Sequence, residues 1–332
     1  MDAMLPTIWA GILAFAILVY VILDGFDLGI GVLFGITGNE TYRRQMMASV
    51  APVWDGNETW LLVVGAGLFG AFPIVYAIFL SALYLPVILL LIALIFRGVA
   101  FEFRYKSEKM RWLWDWGFFL GSAVATFVQG AAIGAMVNEL PIEDGRFVGS
   151  AFFWLTPFAV CCGIGLIIGF CLLGATWLIL KTEGELRAWA YRLAPWLLGG
   201  VLAFLVVVFL YALVLKLDVL QRWIDRPVLW IFPLVGAAAA AGCAFGIRTR
   251  RDALPFLMTV VIFLCAFGTM AVSFWPYMVP YSLTIEQAAS PTSSLRFLFY
   301  GAGLFVIPVI LIYTVTVYWV FRGKIGEAGH YG

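Results

Sequence analysis

Histidine occurs once in 332 residues, at position 330. Haem and most transition-metal centres inside membrane helices draw on imidazole ligands, so this chain cannot assemble a histidine-ligated haem by itself. Charge is scarce as well. Asp, Glu, Lys and Arg together make up 12% of the chain against 64% hydrophobic residues, and a soluble domain needs about twice that charged share to face water. The net charge of +1, with no basic patch or recognition motif to offset it, argues against a nucleic-acid partner. A P-loop, a nucleophile elbow and a redox CxxC pair are all missing. The five cysteines, Cys161, Cys162, Cys171, Cys243 and Cys265, lie inside apolar runs and read as small packing residues rather than thiolate ligands. The start, MDAMLPTIW, lacks the basic n-region of a cleavable leader, and the first apolar run is expected to stay as a helix. Any catalysis the chain serves then has its reactive centre on a partner, unless the chain is a proton-coupled carrier that needs none.

What is present is a series of long unbroken apolar runs, which are helices rather than the short alternating strands of a barrel. Runs of about twenty apolar residues place spans near 7–36, 50–71, 74–97, 114–138, 153–180, 194–216, 227–247, 255–278 and 295–322. The expected fold is all-α: a polytopic membrane protein with about nine transmembrane helices in one membrane domain, 1–332. It divides into a charged N-terminal half (7–138), a second half (153–278) and a last helix (295–322). Fifteen of the 20 basic residues fall in the loops after the odd spans, from Arg43 and Arg44 to Arg322 and Lys324. Arg146, Lys216, Arg222, Arg226 and Arg296 lie on the other side. The positive-inside rule puts the first set in the cytoplasm, with the N-terminus outside and the C-terminus cytoplasmic.

The informative residues are ionisable groups inside spans, each of which costs at least about 2.5 kcal/mol at mid-membrane. Span one carries Asp24 and Asp27 within DGFDLGIG, and span two carries Asp55 and Glu58 within WDGNETWL. A spacing of three puts each pair on one helical face. At 1.5 Å per residue Asp24 lies roughly 18 Å from the inner end of its span and Glu58 about 12 Å deep in the next. Arg97, closing the third span, is the counter-ion for one of the four acids, and Asp55 is the acid expected to meet it. Three readings stay open. The first is a structural ion-pair network, with Gly25, Gly29 and Gly31 allowing close helix approach. The second is a cation site built on Asp, Glu and Asn57 oxygens, and the third is a proton relay of buried carboxylates facing a watery cavity. One arginine cannot neutralise four acids, so some of them are protonated or solvated. Asp115 reads as an N-cap or first-turn acid at the inner start of span four.

Four segments, DGFDLGIGVL at 24–33, APVWDGNETWLL at 51–62, ALIFRGVAFEFR at 93–104 and WDWGFFLGS at 114–122, resemble subunit II of the cytochrome bd quinol oxidases. The match continues more weakly through GATWLILKTEGEL, FWPYMVPYS and PVILIYTVTVYWVFRGKI, so it spans nearly the whole chain. The resemblance implies nine helices in two four-helix bundles plus one peripheral helix, packed on subunit I in a bacterial or archaeal cytoplasmic membrane. It implies a quinol:oxygen oxidoreductase whose haems b and d are ligated mainly by subunit I. The substrate is ubiquinol or menaquinol, and a structural quinone and small single-helix accessory subunits belong to part of the family. Carried over residue by residue, Asp55 and Arg97 belong to a hydrophilic path, Asp24 and Asp27 lie near it, and Trp60 lies by an oxygen entry route. Glu58 stands where some relatives have Gln, which adds a titratable group. The competing reading is a proton-coupled secondary transporter. Against it, no pair of broken helices recurs in the two halves, and residues 153–322 carry almost no intramembrane charge. A purely structural assembly subunit is a third reading.

Overall fold

A computed structural model describes residues 2–107, 109–137, 140–143, 145–215, 221 and 223–326. His330, Lys216, Arg222 and the last residue of the expected span 114–138 lie outside the described residues. The first half contains α1 (Leu5–Ile36), α2 (Glu40–Val50), α3 (Trp54–Ala71), α4 (Pro73–Ala82), α5 (Tyr84–Phe103) and α6 (Arg111–Val137). Next come α7 (Pro157–Lys181), α8 (Gly184–Leu215), α9 (Ile231–Arg248) and α10 (Ala253–Phe274). The short α11 (Ile285–Ala288) precedes a last span built of α12 (Thr292–Leu298), a π-helical stretch over Phe299–Val306, and α13 (Ile307–Val320). The fold is all-α apart from two small antiparallel hairpins, 142–147 and 277–284.

Among the described residues, eight helical stretches are long and apolar enough to cross a membrane. The remaining expected span is α3, whose first two turns carry Asp55, Asn57 and Glu58 and so dilute its apolar character. Three spans depart most from the expectation, one of them α8, which begins at Gly184, ten residues before the expected 194. The second span begins at Trp54, and residues 40–50 form a separate helix, α2, capped by the Asn39 side chain accepting from the amides of Thr41 and Tyr42. The third span is broken at Leu83 and runs on to Phe103. Arg97 therefore lies six residues, about 9 Å, inside the helix end rather than at it.

Contacts at the helix ends sort the loops onto two faces. On one face Asp115 of α6 binds Arg43 (3.1 Å) and Arg104 (2.6 Å), and Arg104 also binds Glu40 (2.8 Å). Asp115 is thus the fifth residue of its helix and an ion-pair centre, not the N-cap or first-turn acid the sequence suggests. The same face holds Tyr42 with Glu185, and Asp252 with Arg187 and Lys324. On the opposite face the Trp9 indole donates to the Leu295 carbonyl, Ser290 bonds the carbonyls of Gly70 and Ala71, and Arg296 pairs with Asp2. The start of α1 and the end of α13 thus lie on opposite faces, as an odd number of crossings requires.

Helix α1 is the axis of the molecule. It packs on α3, α6 and α7, and α7 in turn packs on α6, α8 and α10. Every residue from Asp24 to Phe34 is buried, so the C-terminal third of α1 is enclosed on all sides, and one apolar core runs through it from α5 to α10. The close approach depends on glycine. A Cβ on Gly29 would stand 1.7 Å from the Phe170 carbonyl oxygen, and one on Gly174 would stand 2.8 Å from the Ile30 nitrogen. The α1 and α7 backbones touch there, the small-residue packing that membrane helices use. Gly25 and Gly31 face Phe170 and Ser122 at similarly short range.

Candidate functional site

The enclosed third of α1 holds two acids, and that sets the chemistry of the site. Asp24 and Asp27 share a face because three residues turn an α-helix by nearly one full revolution. Arg97, from α5, reaches both: its Nη2 lies 2.7 Å from Asp24 Oδ1 and 3.8 Å from Asp27 Oδ2. All three side chains are fully buried. A guanidinium in contact with both aspartates occupies the place a bound cation would take. Among the described residues no group of three or more His, Cys, Asp or Glu is arranged to hold a metal ion.

Around this triad runs a chain of neutral polar groups from four helices. Asn57 of α3 donates from Nδ2 to Asp27 Oδ2 at 2.7 Å, and its Oδ1 accepts from the Tyr318 hydroxyl of α13 at 3.0 Å. On the other side the Tyr20 hydroxyl lies beside Asp24 and accepts from Gln129 Nε2 of α6 at 3.0 Å. The sequence offers Asn57 only as an oxygen ligand, and nothing in it marks Tyr20, Gln129 or Tyr318. A tyrosine or glutamine inside an apolar run carries no local signal of its partner. The triad itself is under-satisfied: beyond the contact of Arg97 Nη2 with Asp24 Oδ1, the atoms Asp24 Oδ2, Asp27 Oδ1, Arg97 Nε and Arg97 Nη1 find no aligned hydrogen-bond partner among the described residues. Glu58, half-buried one turn along α3, keeps Oε2 unpartnered as well. One cation thus faces two fully buried acids with a third nearby, in surroundings where an excess charge is costly.

The other sequence candidates separate from this centre. Asp55 is exposed, and Arg97 pairs with Asp24 and Asp27 instead, which corrects the expectation that Asp55 meets Arg97. The spacing argument placed Asp55 and Glu58 on one face of α3 but could not say how that face is turned toward α1. Trp60 is fully buried, edge-on to Phe15 with centroids 5.9 Å apart and packed with Ala16 and Tyr20. A lipid-facing tryptophan is excluded. A small cavity between α3 and α13 is lined by Val53, Gly56, Asn57, Thr314 and Tyr318, next to the Asn57–Tyr318 contact. The donor set does not fit an imidazole-ligated haem, since the one histidine of the chain is His330.

Comparison with known proteins agrees along the chain. The family described as cytochrome bd terminal oxidase subunit II matches residues 5–321. The cytochrome bd-I ubiquinol oxidase subunit 2 of Escherichia coli is 33% identical over 361 aligned positions, covering 96% of this chain and 94% of that protein. The cytochrome bd ubiquinol oxidase subunit 2 of Bacillus subtilis is 30% identical, covering 98% of both. A chain of the bd oxidase structure from Geobacillus thermodenitrificans superposes with a TM-score of 0.77 over 93% of this chain and 97% of that one, at 16% identity. That last likeness concerns the fold alone.

Proposed function

Because the chain belongs to the cytochrome bd terminal oxidase subunit II family, we propose that it packs on the haem-bearing subunit I of a quinol:oxygen oxidoreductase and supplies that complex with protons from the cytoplasm. The observation that carries this is the excess of acid over base within the enclosed cluster: Asp24 and Asp27 share one buried arginine, Arg97, with Glu58 beside them. Reduction of oxygen to water consumes protons, and carboxyl groups are the side chains able to hold and pass them inside a membrane. Arg97 orients the two aspartates and balances one charge. A proton held on the other makes Arg97, Asp24 and Asp27 neutral together, and passing it to an ionised Glu58 neutralises that carboxylate and leaves both aspartates ionised beside Arg97.

Asp55 is the member at the edge. It shares a stripe of α3 with Leu62 and Phe69, seven residues apart and exposed. A carboxylate among exposed apolar side chains faces protein or water rather than lipid. That stripe is therefore assigned to subunit I, with Asp55 as the link between the two subunits. The haems b and d, which this chain's donor set cannot ligate, belong to that partner, as does the oxidation of ubiquinol or menaquinol. They supply the electron transfer and oxygen chemistry. Single-helix accessory subunits and a structural quinone fit the remaining exposed apolar faces. The basic-rich face is cytoplasmic by the positive-inside rule. Trp60, buried beside Tyr20 on the outward side of the triad, lines an oxygen route.

The test is Asp27→Asn in the assembled complex. Size and hydrogen bonding are kept and the proton site is removed, so haem content is retained while quinol oxidase turnover falls at least about tenfold, a barrier change of ~1.4 kcal/mol. Full turnover with full haem would leave the ion-pair scaffold as the better reading. For the oxygen route, Trp60→Phe alters the apparent KM for oxygen at unchanged proton uptake, and an unchanged KM returns Trp60 to packing.

A further inference from the structure

On the basic-rich face, the rim formed by α2, the end of α5 and the start of α6 holds more cations than its acids can neutralise. Arg43, Arg104 and Arg111 share two carboxylates, those of Glu40 and Asp115. Arg44 is exposed, makes no ion pair among the described residues, and lies with Arg104 and Glu40 close enough to the Tyr105 hydroxyl to act on it electrostatically. Donors are left over too. Arg104 is fully buried, yet its Nη1 has no aligned partner among the described residues, and neither has Arg111 Nε. Arg111 Nη1 stands 3.8 Å from Glu40, too far for a hydrogen bond. From this cluster α6 leads into the apolar region. Arg111 is its first residue, and Trp112, Trp116, Leu120 and Val124 follow at intervals of four, all exposed. Side chains four apart lie along one helical face. At 1.5 Å per residue the stripe is about 18 Å long, close to the roughly 15 Å depth of one hydrocarbon leaflet.

We propose that this rim binds an anionic phospholipid of the adjoining leaflet, its phosphate held by Arg44 and Arg111 and one acyl chain laid along the α6 stripe. Charge complementarity chooses the occupant: four arginines over two acids favour a headgroup of net negative charge over a zwitterionic one. Guanidinium groups also match phosphate oxygens in geometry. A free phosphate would meet the arginines but leave the stripe unused, whereas a lipid uses both. The bound lipid would tie α2, which carries Glu40, Arg43 and Arg44, to the turn between α5 and α6. The site is separate from the Asp24, Asp27 and Arg97 cluster and stands whether or not that cluster carries protons.

The experiment uses the whole complex in nanodiscs of phosphatidylcholine and phosphatidylglycerol, with the lipids it retains counted by native mass spectrometry. The double variant Arg44→Gln, Arg111→Gln keeps its haem but retains one phosphatidylglycerol fewer than the wild type, its affinity at that site lowered about thirtyfold for two arginines near a membrane surface. Arg44→Gln alone, which has no ion pair to lose, weakens retention about fivefold and decides the matter if the double variant does not assemble. Arg248→Gln removes an exposed arginine elsewhere on the same face and leaves the count at the wild-type value. Unchanged phosphatidylglycerol retention in the Arg44 variants would overturn the site. An equal loss in Arg248→Gln would replace it by diffuse attraction to the membrane. Displacement of the lipid by millimolar inorganic phosphate would show a site for a free anion instead.

Discussion

Two charge clusters in this chain solve opposite problems. Within the membrane region Arg97 alone faces Asp24 and Asp27, all fully buried, and most of their polar atoms lack an aligned partner. At the rim one acid, Asp252, is surrounded. Arg187 reaches its Oδ1 at 2.8 Å, Tyr191 donates to the same oxygen at 2.8 Å, and Lys324 binds Oδ2 at 2.7 Å. The rim has cations to spare and every Asp252 oxygen satisfied, which is the pattern of a fastener. Lys324 belongs to the segment after α13. Its neighbours are tied down too: Ile325 is fully buried and its amide donates to the Lys181 carbonyl, while Lys181 Nζ donates to the Phe321 and Gly323 carbonyls. The interior cluster has the reverse stoichiometry at far greater solvation cost, and a fold has no structural need to bury a second acid beside one arginine. Under the proton-supply proposal, the contrast separates a site kept for its chemistry from one kept for its grip.

The largest expected effect comes from breaking the interior side. Arg97→Ala leaves Asp24 and Asp27 without a cation, at a cost of about 3–5 kcal/mol for a fully buried pair. Little assembled complex should be recovered, read as haem per membrane protein after purification. Arg97→Lys sharpens the point: it restores the charge on a shorter side chain that lacks the planar guanidinium whose Nη2 reaches both carboxylates, so assembly returns further than turnover does. Equal recovery of both would reduce Arg97 to a simple counter-charge, and normal assembly of Arg97→Ala would show that the buried acids are not both charged.

Much of this was legible in the amino-acid sequence. The runs of apolar residues give most of the helices to within a few positions, α8 beginning ten residues before its expected start, and the basic residues alternate as the two faces of the structure do. Asp24, Asp27 and Arg97 stood out because charge inside an apolar run has few explanations. What was not legible was rotational and long-range. Periodicity says that Asp55 and Glu58 share a face, but the facing of α3 is set by its packing on α1, which buries Asn57 and Trp60 and leaves Asp55 outside. The neutral partners were hidden for the same reason: Tyr318 and Asn57 are 261 residues apart, and Gln129 and Tyr20 are 109 apart. Helix α2 escaped because its mixed composition resembles a polar loop. The end of α5 was misplaced because Arg97 was taken as a boundary marker, whereas it is a buried group with the helix continuing past it.

The smallest expected effect is at the rim, and it carries a pH signature. Partial burial works to raise the Asp252 carboxyl, but the hydrogen bonds from Lys324 and Tyr191 and the charges of Lys324 and Arg187 outweigh it and hold the group below the ordinary carboxylate value. A carboxyl depressed in the folded state adds stability that is fully present above its unfolded pKa of about 3.9 and is lost as the pH falls through the lower folded value. At neutral pH the fastener is therefore complete. Asp252→Asn removes its charge at a cost of about 1 kcal/mol or less, the range for a partly exposed pair. Assembly, haem content and turnover stay near wild type, and the segment around Lys324 becomes more susceptible to limited proteolysis at pH 7. As the pH falls through the lowered pKa of the folded protein the wild-type group is itself protonated, and the difference in proteolysis between the two proteins narrows. A difference that persists undiminished in acid would mean that the segment is held by Ile325 and the Lys181 contacts rather than by Asp252. A loss of complex as severe as that of Arg97→Ala would abolish the distinction between fastener and functional cluster.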